Sequence, residues 1–379
     1  MQSFKLDIPQ ALLDDLRARL TQTRWPDGII GADWDYGAKL DYMRELADYW
    51  QKKFDWRAQE KALNGFAQYR VQIEGLGIHF LLERAKGTKA LPLIITHGWP
   101  SSFIQMLKII PLLTDPARYG GNESDSFDVV VPSMPGYGFS ERPAEPGMVA
   151  SRIADLWAKL MTDVLGYSRF GAQGGDIGAS VTTRLGLQHA SKLIGIHITD
   201  VARPYLGPGA GELSEAEKIL LADEERWDQE EGAYSSIQAT RPQTLSYGLN
   251  DSPAGLAAWI VEKFRAWSDC GGDVEKRFTK DELLTNVTIY WVTETINSSI
   301  RLYYEHRHNP RPLSLNEKVT IPTGVALFPK DLSNPPREWA ERTYNVKGWT
   351  QMPRGGHFAA MEEPDLLVED IRAFFRPFR

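Results

Sequence analysis

The five residues Gly174-Gly175-Asp176-Ile177-Gly178 constrain this chain more than any other feature. They follow the strand-like Phe170-Gly171-Ala172 and precede a helical run from Ala179 to Gln188. Small residues two before and two after a central position permit a strand-to-helix turn tight enough to lift the central side chain above a sheet. Here that side chain is a carboxylate. It is already ionised near neutral pH, so it attacks saturated electrophilic carbon without a proton acceptor and forms an alkyl ester. The same five residues also suit a plain glycine-rich turn in which Asp176 caps the next helix, and the surrounding sequence has to separate the two readings.

Apolar runs of strand length recur at Pro92–Thr96, Phe127–Val131, Leu193–Thr199 and, much later, Val319–Leu327. Alternating text around Gly75-Leu76-Gly77, with Val71, Ile73, Ile78, Phe80 and Leu82, predicts two further strands and a turn. Helical text lies between the strand runs, which predicts an α/β fold with a largely parallel sheet covered on both faces. Before residue 69 the pattern is mostly helical, with Leu12, Leu13, Leu16 and Leu20 on one face and a belt of aromatics that includes Trp50, Phe54 and Trp56. Between about 201 and 315 the alternation stops and helical stretches such as Ala254–Trp267 and Thr288–Tyr304 take over. The expected organisation is a helical extension over residues 1–68 packed on the core, a first core segment over 69–200, a helical lid over 201–315 and a second core segment over 316–379.

Two loops beside the central turn carry chemistry. His97-Gly98-Trp99-Pro100 directly follows the strand Leu93-Ile94-Ile95-Thr96, where a backbone N–H can serve an oxyanion; Trp99 and Ile177 are the candidate donors. His357, in Pro353-Arg354-Gly355-Gly356-His357-Phe358, stands on a late loop from which a histidine can face the turn as a general base on water. Such a base needs an acid to fix its tautomer. Asp331, in the loop after Gly324–Phe328, preserves the chain order nucleophile, acid, histidine, and Asp200 at the end of the Leu193–Thr199 strand competes with it. The loop Met134–Ser140 reads as a wall of the site, since Gly136-Tyr137-Gly138 lacks the third glycine of a dinucleotide cradle. A serine nucleophile at Gly166-Tyr167-Ser168-Arg169-Phe170 fails because phenylalanine stands where the last glycine belongs.

These residues resemble the epoxide hydrolases of the α/β-hydrolase superfamily, in particular the microsomal-type branch and its soluble relatives. The likeness runs over nearly the whole chain: Thr23-Arg24-Trp25-Pro26, Phe54-Asp55-Trp56-Arg57 and Leu63-Asn64 in the extension, His97–Pro100 and Gly174–Gly178 in the core, and Asn250-Asp251-Ser252-Pro253 in the lid. The resemblance implies an α/β-hydrolase fold with a mostly parallel central sheet, a helical lid insertion and an N-terminal extension. It implies Asp176 as nucleophile, His357 as base, Asp331 as acid, and two lid tyrosines that polarise an epoxide oxygen. Tyr234 matches the first, in Tyr234-Ser235-Ser236-Ile237-Gln238; Tyr303 matches the second, in Ser298-Ser299-Ile300-Arg301-Leu302-Tyr303. Tyr304 competes, but on a helix it points about 100° away from Tyr303, so only one of them can face a pocket. Ile177 stands where a tryptophan often follows the nucleophile, a change that leaves the backbone donor intact.

The expected reaction is hydrolysis of a hydrophobic epoxide to a vicinal diol through an aspartyl ester, with no cofactor and no metal. A haloalkane dehalogenase sharing the Asp–His–acid set, and a non-catalytic binding protein on the same fold, are the alternatives. Forty-three Lys and Arg against fifty Asp and Glu leave a net charge of -7, so no global positive field attracts nucleic acid or anionic membrane. The one cysteine, Cys270, cannot form an internal disulfide. With no apolar run near the ~20 residues of a membrane span, the expectation is a cytoplasmic protein without a membrane anchor, whose oligomeric state stays open.

Overall fold

Among the described residues nine strands form a single sheet: β1 (Gln2–Ser3), β2 (Gln68–Ile73), β3 (Leu76–Glu83), β4 (Leu91–Thr96), β5 (Phe127–Pro132), β6 (Phe170–Gly174), β7 (Leu193–Ile198), β8 (Val319–Leu327) and β9 (Tyr344–Gln351), in the order β1-β2-β3-β5-β4-β6-β7-β8-β9. The computed structural model describes residues 1–87 and 89–379. β1, β2, β3 and β5 pair antiparallel, whereas β5, β4, β6, β7, β8 and β9 run parallel. The parallel strands are continuous apolar runs because both sheet faces are covered: Leu93, Ile94 and Ile95 in β4 are fully buried. β2, near the edge, is buried only at its two ends, Gln68 and Ile73, with half-buried and exposed positions between them.

The chain leaves β4 for β5 on one side and reaches β6 on the other. Such a reversal opens a crevice outside the carboxyl ends of the two strands, where α/β sheets bind ligands. The loop from His97 and the turn at Asp176 therefore arrive at one place by topology.

Helices α1 (Gln10–Thr21), α2 (Leu40–Lys52) and α3 (Trp56–Leu63) lie between β1 and β2 in the chain; α4 (Ile109–Thr114), α5 (Ala150–Lys159) and α6 (Ile177–Gln188) cover the sheet. Six helices interrupt the alternation between β7 and β8: α7 (Glu215–Glu230), α8 (Ala233–Thr240), α9 (Pro242–Leu249), α10 (Pro253–Ala266), α11 (Lys280–Thr293) and α12 (Ile296–His308). After β8 come α13 (Arg337–Glu341), α14 (Ala359–Glu362) and α15 (Pro364–Phe375). Caps explain several starts. Ser252 accepts the Gly255 N–H with Pro253 in the first turn of α10, and Thr279 with Glu282 forms a capping box on α11.

The first helices hold the insertion as well as the sheet. β1 pairs with β2, while Trp50 Nε1 donates to Thr288 Oγ1 at 3.0 Å and Arg19 pairs with Asp251 at 2.6 Å. Two sequence expectations need correction here. Leu13, Leu16 and Leu20 face the core, but Leu12 is 39% exposed, because a helix of this width buries a narrower stripe than four leucines. The stretch Thr288–Tyr304 is not one helix. Glu294 adopts a left-handed conformation with φ of 52°, which ends α11 and lets α12 start in a new direction. β1, only two residues long, is too short to show any period.

Trp157 of α5 is fully buried and its Nε1 donates to Thr96 Oγ1 at 3.1 Å, tying the helix layer to β4. Trp157→Ala is expected to cost about 3–5 kcal/mol, whereas Tyr247→Ala, at a side chain 75% exposed, should change stability by less than about 0.5 kcal/mol. Urea unfolding midpoints measure both.

Candidate active site

Asp176 links β6 to α6 with φ of 52° and ψ of -131°, a conformation that costs a non-glycine residue about 1–3 kcal/mol. The surroundings impose it. A Cβ on Gly178 would run into the Thr96 carbonyl, and one on Gly98 into the Asp176 carboxylate, so only glycines let β4, its loop and the turn approach this closely. The backbone N–H of Asp176 donates to the Asp200 carboxylate. Trp99 N–H donates to Asp176 Oδ1 at 2.7 Å, and Ile177 N–H also donates to this carboxylate.

His357 lies on the opposite side of the carboxylate. Its Nε2 is 3.7 Å from Asp176 Oδ2, and its Nδ1 is hydrogen-bonded to Asp331 Oδ1 at 2.7 Å. Asp331 hangs from the loop after β8, with its side chain 2% exposed, and also accepts the Leu332 N–H at 2.7 Å. Asp331, not Asp200, thus holds the His357 ring. His97 is fully buried and turns away from the carboxylate: it contacts the Gly98 carbonyl and accepts the Met134 N–H at 3.3 Å, which braces the wall loop.

Above the carboxylate stands an aromatic enclosure. Tyr234 of α8 stacks on Trp99 with ring centroids 5.3 Å apart and an interplanar angle of 7°. Tyr303 of α12 meets Tyr234 edge-on at 6.0 Å, and the two phenols interact. Tyr304 points outward and stacks on His308 at 3.8 Å. Between α7 and the loop that follows Asp331 opens a cleft of about 630 Å³ bordered by Leu332 and by Trp227, whose ring meets that of Tyr234 at 6.3 Å.

Two residues that sequence reasoning passed over hold the histidine loop. The Trp267 carbonyl accepts the His357 N–H at 2.9 Å while its ring packs edge-on against the imidazole at 5.3 Å. Glu362 accepts N–H groups from Asp269, Gly356 and Phe358 at 2.8, 3.1 and 2.9 Å. A glutamate five residues after His357, just before the apolar helix that begins at Pro364, was the available signal; nothing local marked Trp267.

Burial raises the Asp176 pKa, and His357 with the Ile177 and Trp99 N–H groups pulls it back. For His357 burial works downward, but the charge and hydrogen bond of Asp331, then Asp176 and Asp200, outweigh it and lift the pKa to about 10. Burial pushes Tyr234 and Tyr303 above the usual phenol range, so both remain proton donors. One oxygen each of Asp200 and Asp331 and one His357 nitrogen lie within 4.8 Å of one another, the one donor grouping of metal-ligand type among the described residues. His357 Nδ1 is already engaged by Asp331.

The model of the family described as "Epoxide hydrolase N terminus" matches residues 1–106, and that described as "alpha/beta hydrolase fold" matches residues 92–232. A curated protein of Stigmatella aurantiaca is 45% identical over 99% of this chain and 85% of its own length. Epoxide hydrolase 1 of Sus scrofa is 37% identical over 99% of this chain and 88% of its own length. The chain belongs to the epoxide hydrolase family. Its backbone agrees: juvenile hormone epoxide hydrolase from the silkworm Bombyx mori superposes with a TM-score of 0.90 at 29% identity, covering 100% of this chain and 94% of that one. This epoxide hydrolase therefore has the α/β-hydrolase fold read from its sequence, and among the described residues no helix is long and apolar enough to cross a membrane.

Because the folded pKa of His357 lies above the ordinary ~6.5, the protonated ring stabilises the fold fully below pH ~6.5, and this contribution is lost as pH rises through about 10. Asp331→Asn is expected to move the imidazole titration downward, read from its ring proton shifts in NMR; a titration unchanged by the substitution would show that Asp331 does not set the charge of this ring.

Proposed function

We propose that Asp176 opens the epoxide as a nucleophile and that His357, oriented by Asp331, hydrolyses the ester that results. The observation that carries this reading is the single line Trp99 N–H, Asp176, His357, Asp331, with contacts of 2.7, 3.7 and 2.7 Å. A carboxylate oxygen of Asp176 attacks a ring carbon from behind as the C–O bond breaks. The Tyr234 and Tyr303 phenols donate to the departing oxygen, on which negative charge develops, and one of them supplies its proton. Ester formation removes the negative charge of Asp176. His357 thereby loses one of the charges that hold its proton and passes that proton back to the phenolate, which leaves the ring in the base form. It takes a proton from water, whose oxygen adds to the ester carbonyl; Trp99 and Ile177 N–H hold the oxyanion, each worth ~2.7–4 kcal/mol in comparable sites. Collapse breaks the acyl C–O bond and the diol oxygen takes the proton from His357; the acid proton left on Asp176 then returns to His357, which restores the carboxylate and the imidazolium.

The six-helix insertion acts as the lid in this reading, within a division at 1–68, 69–200, 201–315 and 316–379, because it supplies both phenols to a carboxylate on the sheet. The rings of Trp99, Tyr234, Trp267 and Tyr303 favour an apolar epoxide, approached through the cleft beside Trp227. A net charge of -7 and a single buried cysteine support work in the cytoplasm.

His357→Gln tests the two steps. It is expected to be alkylated yet not to turn over, so mass spectrometry after epoxide treatment should find one adduct on the peptide containing Asp176; normal substrate binding with no adduct would overturn the covalent route. Tyr234→Phe and Tyr303→Phe should each slow ester formation by about tenfold or more, the loss of one hydrogen bond to a developing charge, and the double variant should nearly abolish it. Tyr304→Phe, on the outer face, serves as the comparison in the same rapid-quench measurement.

A further inference from the structure

Asp200 follows β7 and is not needed by the ester mechanism, yet its carboxyl sits at the back of the site. It accepts the N–H of the strained Asp176. One of its oxygens is within 4.8 Å of an oxygen of Asp331 and a nitrogen of His357. The second oxygen of Asp331, Oδ2, is buried without a hydrogen-bond partner. Three ionised carboxylates around one imidazolium would leave two uncompensated negative charges in a buried space. Like charges this close force one group to keep its proton. Asp331 already has two donors, from His357 and Leu332, and Asp200 has one, from Asp176. Asp200 is therefore the better proton holder.

We propose that Asp200 is a positioning residue that carries a proton near neutral pH, its carboxyl fixing the backbone of the nucleophile and its acid hydrogen serving the otherwise unpartnered oxygen of Asp331. The inference rests on the roles given to Asp176, His357 and Asp331. The groups that act on it from neighbouring elements are Asp176 at the turn, Asp331 after β8, His357 after β9, Tyr234 on α8 and Tyr344 on β9. Burial first, then the charge of Asp331, raises the Asp200 pKa to about 7, while His357 and the Asp176 N–H oppose the rise. A neutral Asp200 leaves the imidazolium balanced by Asp331 alone once Asp176 is esterified. It also lets the oxygen that faces the turn act purely as an acceptor.

The test compares Asp200→Asn, an isostere that keeps both an acceptor and a donor, with Asp200→Ala, which has neither. Asp200→Ala is expected to slow alkylation of Asp176 by about tenfold or more, and Asp200→Asn to restore most of that rate. Infrared spectra of the unliganded wild-type enzyme should show a protonated carboxyl band that fades as pH rises through neutrality and is missing in Asp200→Asn. Alkylation as slow in Asp200→Asn as in Asp200→Ala, a wild-type rate in Asp200→Ala, or no such band would each overturn the proposal. If Asp200→Ala does not fold, the band and the Asp200→Asn rate decide it. Asp331→Asn, measured alongside, separates the layers. Slow ester hydrolysis there sustains the roles of Asp331 and His357 even where the Asp200 results fail. Stalled hydrolysis in Asp200→Asn with a mild Asp331→Asn would exchange the two acids and overturn both statements.

Discussion

A largely buried carboxylate held in a strained turn and facing an imidazole is the constraint around which this protein is arranged. Asp176 occupies a left-handed conformation that a side chain adopts only when its surroundings leave no other. The carboxylate itself resists burial, so its environment has to supply donors: the Trp99 and Ile177 N–H groups on one side and His357 on the other. Each of these comes from a separate part of the chain, and each is brought in by the sheet. β4 delivers the Trp99 loop, β6 the turn, β8 the Asp331 loop and β9 the loop of His357.

The sheet alone would leave this carboxylate open to solvent. The helices between β7 and β8 close over it, and their rings are locked to the core: Tyr234 is stacked on Trp99 of the sheet loop, and Trp267 carries the His357 N–H. Insertion and core are thus joined through the site itself. The extension adds a second clamp from outside, since Trp50 binds α11 and Arg19 the turn between α9 and α10 while β1 is a strand of the sheet. Movement of the insertion would therefore disturb the phenols, the histidine loop and the extension together.

Much of the fold was legible because its signals are local. The five-residue turn, the apolar runs of β4, β5, β7 and β8 and the hairpin around Gly75 are patterns of a few residues, and each corresponds to an observed element. The long helical text from Thr288 to Tyr304 misled, because a single left-handed residue at Glu294 breaks a helix without altering its hydrophobic pattern. Leu12 misled for a related reason: apolarity does not record how wide a face the neighbouring helices cover. The orientation argument at Tyr303 and Tyr304 was sound as geometry, since one turns inward to Tyr234 and the other outward to His308.

By itself the sequence determined the strand and helix alternation, the site of the turn and the kinds of group that stand on the loops after β4, β6, β7, β8 and β9. These depend on periodicity and on the backbone freedom of glycine, which act over a few residues. Only the tertiary structure decided which of Asp200 and Asp331 reaches the ring of His357 and which takes the N–H of Asp176, because both end neighbouring parallel strands and differ only in where the side chain is directed. It alone revealed Trp267 and Glu362 as the supports of the histidine loop. Their contacts, a carbonyl to the His357 N–H and a carboxylate to three N–H groups, join segments that no pattern along the chain connects.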